Sequence, residues 1–254
     1  MMTWQKIWNS NALVLLCLTL GSCSQPTQAR DSEPKNGDFE SKVLQVIRDN
    51  PQVILESVQK YQQQQRQKQQ EVRQSFIQEM RTNPQSVIAK SPVTGSPAQK
   101  IVLLMFSDFQ CPYCAAAHNT LKQFMTKHKG EVTLVYKHLP LSNIHPQALN
   151  AAKASWAAEQ QGKFWEFHDA LFANQDKLGE QLYVDTAKAL KLDFAKFNKD
   201  RQSKAATDAI QKDVEMAENL GITGTPFLIM NGEVFSGAVG IGDLEAALNR
   251  VKSQ

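Results

Sequence analysis

The sequence predicts an α/β domain in which a βαβ unit and a ββα unit are separated by a long helical insertion and preceded by a helical arm. Three observations carry that prediction. Residues 101–106 are a continuous apolar run of strand length, and a helix-periodic and then a β-branched segment follow it. Residues 142–218 are helical in pattern throughout, rich in Ala, Gln, Lys and Leu. Asn231-Gly232 stands between two short apolar runs, the strongest short hairpin signal. The chain has 254 residues, 42% hydrophobic and 21% charged, with 12 Gly and 10 Pro, which excludes collagen-like and wholly disordered chains. The net charge of +3 is dispersed along the sequence. No basic stripe follows a phosphate backbone, so no nucleic-acid partner is expected.

The N-terminus reads as an address. Lys6 is followed by a short apolar run from Ala12 to Leu20, roughly 14 Å as a helix and about half of a hydrocarbon core. A basic start, an apolar centre and small residues behind it form an export signal. Leu20-Gly21-Ser22-Cys23 resembles a bacterial lipobox, whose cysteine becomes the lipidated first residue of the mature protein. On that reading residues 1–22 are a lipoprotein signal peptide and Cys23 anchors the chain to the membrane. The alternative is an ordinary signal cut after Thr27-Gln28-Ala29, with Cys23 incidental; either way Cys17 is discarded. Residues 23–37, with Pro26, Pro34, Ser and Gln, suit a flexible tether. The expected location is periplasmic or otherwise extracytoplasmic, where disulfides form and persist.

Residues 38–90 form the arm. Val43, Leu44, Val46 and Ile47 make a short amphipathic stripe, and Asp49-Asn50-Pro51 stops one helix and starts the next. Ile54, Val58 and Tyr61 continue at helical spacing. From Gln59 to Gln74 nine residues are Gln, which favours helix by propensity but offers no apolar face. Phe76, Ile77 and Met80 resume the stripe before Asn83-Pro84 ends it. The arm is either a solvated spacer or a homo-oligomerisation segment.

Residues 91–254 form the body. It opens with a turn-rich linker over residues 91–97. The strand at 101–106 is apolar enough to be buried on both faces. In the helix behind it Leu121, Phe124, Met125 and His128 share a side, and residues 132–136 form the second strand. In the insertion Trp156, Phe164, Trp165, Phe167 and Phe172 are the expected core. His138, His145 and His168 have no ligand spacing and read as surface or packing residues. A last helix carries Leu244, Ala247, Leu248 and Val251.

Cys111-Pro112-Tyr113-Cys114 falls at the first strand-to-helix junction. The start of a helix carries about half a positive charge and free N–H groups, both of which stabilise a thiolate. Cys111, nearest that end, is expected to be the exposed nucleophile, with a pKa below the usual value of about 8.5. Cys114 lies one turn further in and can attack a mixed disulfide from inside. Pro112 fits an early helical position that needs no N–H. A structural staple is disfavoured, because so short a loop restricts the unfolded chain little. A zinc or copper site from Cys111, Cys114 and His118 is the remaining alternative, though a second CxxC or paired His is missing.

Residues 106–114 (FSDFQCPYC), 159–165 (EQQGKFW) and 221–227 (GITGTPF) resemble the DsbA-like thioredoxin-fold family over roughly residues 90–250. Residues 49–56 (DNPQVILE) are similar to the N-terminal segment of ScsC-type members, some of which oligomerise through it. The resemblance implies a thioredoxin fold with a large helical insertion. It further implies a cis Thr225–Pro226 bond facing the CxxC and a client segment bound along that edge, with Pro112, Tyr113, Thr225 and Pro226 as substrate contacts. Family members usually carry a buried acid six positions before the first cysteine; this chain has Met105 there, and Asp108 lies in the loop. Without that acid the proton route of Cys114 is open.

These readings lead to an exported thiol-disulfide oxidoreductase using Cys111 and Cys114, without metal or organic cofactor. Its expected partners are unfolded or partly folded exported proteins and a membrane redox partner of the DsbB or VKOR type. Disulfide formation is the expected direction. The rivals are an isomerase or reductase of ScsC type, and a non-enzymatic metal-binding or client-holding lipoprotein.

Overall fold

The computed structural model describes residues 36–253. The expected signal peptide, the lipid anchor Cys23 and nearly all of the tether lie outside the described residues. The chain divides into two compact units, the first ending at Ser57 and the second beginning at Val58. In the first, helix α1 (Asn36–Asp49) is followed by the opening turns of α2 (Pro51–Thr82). The helix starts at Asn36, so the tether expected through residue 37 is shorter at its end than the sequence suggested. Asp38 in the first turn and Arg48 in the last suit the helix dipole, and Asp38 pairs with Lys42 one turn on. Phe39, Leu44, Val46 and Leu55 are all at least half exposed. No described helix is long and apolar enough to cross a membrane.

The second unit is built on a five-stranded sheet of order β1-β3-β2-β4-β5. The strands are β1 (Val93–Gly95), β2 (Ile101–Ser107), β3 (Val132–His138), β4 (Phe227–Met230) and β5 (Glu233–Ser236). Strands β2 and β3 run parallel, joined through α4 (Pro112–His128), and β4 pairs antiparallel with β2. The short strand β1 lies in the stretch the sequence reads as a linker. Its three residues pair antiparallel with β3, and Gly95 (φ +97°) has its Cα so near the carbonyl of Val132 that a Cβ would collide with it. A strand of that length has no period to detect, and only its pairing partner makes it one. Asn231 and Gly232, both with positive φ, turn β4 into β5 as the sequence predicts. Asn231 also ties the hairpin to β2, accepting from Val102 N at 2.8 Å and donating to Lys100 O at 2.9 Å.

Alternation along β2 and β3 sends side chains to two faces. On one, Leu103, Met105, Leu134, Tyr136, Leu228 and Met230 meet α4, the C-terminal helix α10 (Ile241–Lys252) and the insertion. On the other, Val102, Leu104, Phe106, Val135 and Ile229 meet Met80 of α2, Ile88 of α3 (Pro84–Ile88) and Leu220. Arg73 and Arg81 fix this end of α2, donating to the carbonyls of Leu220 (2.7 Å) and Asn231 (2.8 Å). The insertion supplies α5 (Ala148–Glu159), α6 (Phe164–Ala173), α7 (Glu180–Ala189), α8 (Phe194–Arg201) and α9 (Lys204–Asn219). Phe164, Phe167 and Phe172 are buried as expected, whereas Trp156 and Trp165 stay partly exposed.

Candidate active site

Cys111 is the N-cap of α4, with Pro112 in the first turn. The geometry follows from local chemistry: proline needs no N–H there, and the amides of Tyr113 and Cys114 are left to point back at the Cys111 sulfur. The carbonyl of Cys111 accepts from Cys114 N (3.0 Å) and Ala115 N (3.2 Å), closing the first turn. Both cysteines are free thiols.

The structure corrects one expectation. Cys111 is not an exposed residue: it is 4% accessible and Cys114 is fully buried. The strand-entry loop lies over it, with Cys111 Sγ 3.3 Å from the carbonyl oxygen of Thr225, and Thr225–Pro226 is cis. Thr225 is partly exposed and Pro226 buried, while Tyr113 points outward, 65% exposed. Cys111, Cys114, Pro112, Tyr113, Thr225 and Pro226 thus meet at one place, although 114 positions separate Cys111 from Thr225.

The two sulfurs differ sharply in charge preference. Cys111 is lowered to about 5, chiefly by a hydrogen bond from the Cys114 thiol, then by the Thr225 hydroxyl and the amides of Cys114 and Tyr113, against the opposing effect of burial. Cys114 is pushed up, mainly by burial and then by giving its proton toward Cys111. One thiolate at the helix start, held by an inner thiol, is the arrangement needed for nucleophilic attack followed by internal resolution.

Three further residues organise the loop; the sequence gives no role to Asp108 or His145 and does not single out Gln175. Asp108 is buried; its Oδ1 accepts from Gln110 N (2.8 Å), and its Oδ2 from Leu141 N (2.9 Å) and meets His145 Nδ1 at 2.7 Å. Its own amide approaches Cys114 Sγ at 3.5 Å. His145 is therefore the partner of a buried carboxylate rather than a surface residue. Gln175 Nε2 donates to the carbonyls of both Phe109 (2.8 Å) and Cys111 (2.9 Å). These contacts come from the insertion, and no sequence spacing connects them to the CxxC. His138, at the end of β3, and His168 are both buried, the packing role the sequence allows rather than the surface one.

Among the described residues, one group of metal-type donors gathers: His118, His168 and Asp169, within 4.8 Å of one another. His118 belongs to that group and not to the cysteines. The Asp169 carboxylate already faces Nδ1 of His168 (3.0 Å) and Nζ of Lys122 (3.4 Å). His168 and Asp169 thus form a hydrogen-bonded pair with Lys122 beside the carboxylate.

Comparison with known proteins fits this geometry. The family model described as thioredoxin matches residues 88–250. A thioredoxin-like oxidoreductase from Silicibacter pomeroyi DSS-3 is similar in structure, with 28% sequence identity and a TM-score of 0.62 over 68% of this chain and 99% of that one. ScsC of Proteus mirabilis, in a transitional conformation, is similar in fold at 22% identity and a TM-score of 0.60, over 85% of this chain and 96% of that one. The Na(+)/H(+) antiporter NhaA 3 of Salinispora tropica is 35% identical over 156 residues, 61% of this chain but 24% of the antiporter. The chain thus spans 24% of the length of that curated relative.

Proposed function

The chain belongs to the thioredoxin family, and from that premise we propose that it is an exported thiol-disulfide oxidoreductase that forms disulfides in protein clients. The observation that carries the reading is the Cys111 sulfur, lowered to about 5 at the start of α4 and 3.3 Å from the Thr225 carbonyl. A thiolate so stabilised makes the reduced pair stable and its disulfide oxidising.

In the proposed cycle a client thiolate attacks Cys111 of the Cys111–Cys114 disulfide. The Cys111–client bond forms as the Cys111–Cys114 bond breaks, and Cys114 leaves with the electron pair and takes up a proton. A second client thiolate then attacks the client sulfur of the mixed disulfide. Cys111 departs as the stabilised thiolate, the client gains a disulfide, and the enzyme is reduced by two electrons. Reoxidation falls to a membrane partner of the DsbB or VKOR type. Thr225, beside the cis proline, presents its backbone to an extended client segment, and Pro112 and Tyr113 contact the same segment. The exposed Tyr113 and Ile144 offer apolar surface to unfolded chains. The proposal includes the export signal, lipid anchorage at Cys23 and residence outside the cytoplasm.

A second reading, an isomerase or reductase of ScsC type, is favoured by one observation. Phe39, Leu44, Val46 and Leu55 expose apolar surface that a homo-oligomer through residues 38–90 would cover. The reduction potential of the pair against glutathione separates the readings: about −120 mV is expected for an oxidant, and about −270 mV would favour a reductant. Cys114→Ser is expected to accumulate mixed disulfides with clients, and Cys111→Ser to trap none. If neither substitution alters disulfide exchange, the proposed function fails.

A further inference from the structure

Apart from the thiols, three side chains on two helices converge. His118 lies one turn beyond Cys114 on α4, and His168 and Asp169 are consecutive in α6. One donor atom from each lies within 4.8 Å of the other two. Asp169 Oδ1 is the common point, 3.0 Å from His168 Nδ1 and 3.8 Å from His118 Nε2. Its other oxygen faces Lys122 Nζ at 3.4 Å. All three residues line one cleft of about 270 Å³ between α4 and α6, with Met105, Leu121 and Trp165 among its apolar walls.

A hydrogen-bonded pair accounts for His168 and Asp169 but not for His118. Its Nε2 faces the carboxylate at 3.8 Å, too far for a hydrogen bond. The ring is held there by stacking on Phe172, centroids 5.0 Å apart and planes 16° from parallel. His168 is gripped by Phe109, Phe164, Trp165 and Phe172, whose centroids lie 4.9 to 5.7 Å from its own. The two imidazoles meet edge to face at 5.1 Å. Aromatic packing thus aims two ring nitrogens at one carboxylate oxygen.

Two imidazoles and a carboxylate are the donors of three-ligand zinc sites, which leave a fourth position to water or substrate. Bonds of about 2.0–2.2 Å to a tetrahedral ion set the donors about 3.3 Å apart. The separations of 3.0 and 3.8 Å lie on either side of that value. The remaining one, between the two rings, is at most 4.8 Å and closes as the His118 ring slides along Phe172. Magnesium and calcium prefer oxygen throughout and copper(I) prefers sulfur, so the mixed set selects a zinc-class ion.

We propose that His118, His168 and Asp169 form a binding site for a zinc-class divalent cation, separate from the thiol pair. His118 binds through Nε2, His168 through Nδ1 and Asp169 through Oδ1, and the fourth position opens on the cleft. The cation takes the place of the hydrogen between His168 Nδ1 and Asp169 Oδ1. That hydrogen moves to Nε2 of the same ring, so binding needs no net loss of a proton from His168. Lys122 holds the second carboxylate oxygen and fixes which one faces the ion. Side-chain exposures of 13% at His118 and 44% at Asp169 provide a way in from solvent. Burial lowers His118 to about 4 and lowers His168 as well, so at neutral pH both rings have a lone pair to give. A bound ion ties α6 of the insertion to α4, the helix that carries the cysteines.

The test uses the full chain with Cys111 and Cys114 oxidised to a disulfide and all other thiols alkylated, so that no sulfur can bind the probe. Titration with Co2+ is expected to give one equivalent bound, with the visible bands of a nitrogen and oxygen site. Zn2+ should displace it and raise the melting temperature by a few degrees. His118→Ala and Asp169→Asn are each expected to weaken binding at least about 10-fold and to abolish the thermal shift. Asp169→Asn keeps the shape of the side chain and decides the matter if His118→Ala does not fold. Wild-type protein that gives neither visible bands nor a thermal shift would overturn the proposal. Binding that survives both substitutions would overturn it equally, since the ion would then sit elsewhere. Because the thiols are blocked throughout, failure here leaves the thiol-exchange reading untouched.

Discussion

The two faces of the central sheet, drawn from alternate residues of the same strands, are built to different ends. On the face toward α2 and α9, Val102, Leu104, Phe106 and Ile229 pack dry. Polar side chains there are satisfied: Thr133 donates to Ser96 O at 2.6 Å, and Lys137 meets Asp213 at 3.3 Å. On the face toward α4, Ser107, Tyr136 and His138 are buried beside Cys114 without partners. Burial on the first face secures the fold; burial on the second holds reactive groups in an environment that separates their proton affinities. The lesson is that stability and reactivity are divided here by the pleat, one residue apart.

Substitutions on the two faces should therefore fail differently. The largest loss of stability is expected from Phe106→Ala, about 3–5 kcal/mol for a fully buried aromatic, measured by urea unfolding. The thiolate titration of Cys111 in the surviving folded fraction should not move. A coincident shift would mean that the faces are not independent.

Asp108→Ala comes next. It orphans the amides of Gln110 and Leu141 and the His145 ring, at about 1–3 kcal/mol for a buried group left unpaired. Because the Asp108 amide approaches Cys114 Sγ, exchange with glutathione should slow along with the loss of stability, a pairing that Phe106→Ala should not show.

The smallest effect is expected at Glu159, raised to about 7 by burial and the nearby Asp213. A carboxyl raised in the folded state contributes stability that is full below the unfolded value of 4.5 and is lost as pH rises through about 7. Glu159→Gln should therefore raise the melting temperature by a few degrees at pH 8 and leave it unchanged at pH 4. Equal gains at both would show that packing, not charge, is responsible.

Much of this division is legible in the sequence, for physical reasons. The apolar run of β2, the β-branched β3 and the Asn231-Gly232 turn are local signals, and helical periodicity marks the insertion. The position of Cys111 and Cys114 at a strand-to-helix junction is likewise local. Strand β1 escaped because three residues become a strand only against β3. The burial of Cys111 depends on the loop at Thr225, and the grip of His145 and Gln175 on the active-site loop depends on packing of the insertion. Such contacts carry no period, and only the folded chain brings them together.

The central claim is that Cys111 is ionised while Cys114 keeps its proton. The most direct measurement follows thiolate absorbance and alkylation rate of the reduced protein from pH 3 to 10, with Cys114→Ala as reference. The account predicts a single ionisation near pH 5 at Cys111, rising in Cys114→Ala because the inner thiol supplies its largest stabilisation. A first ionisation at the free-thiol value of about 8.5, with slow alkylation at pH 7, would contradict it.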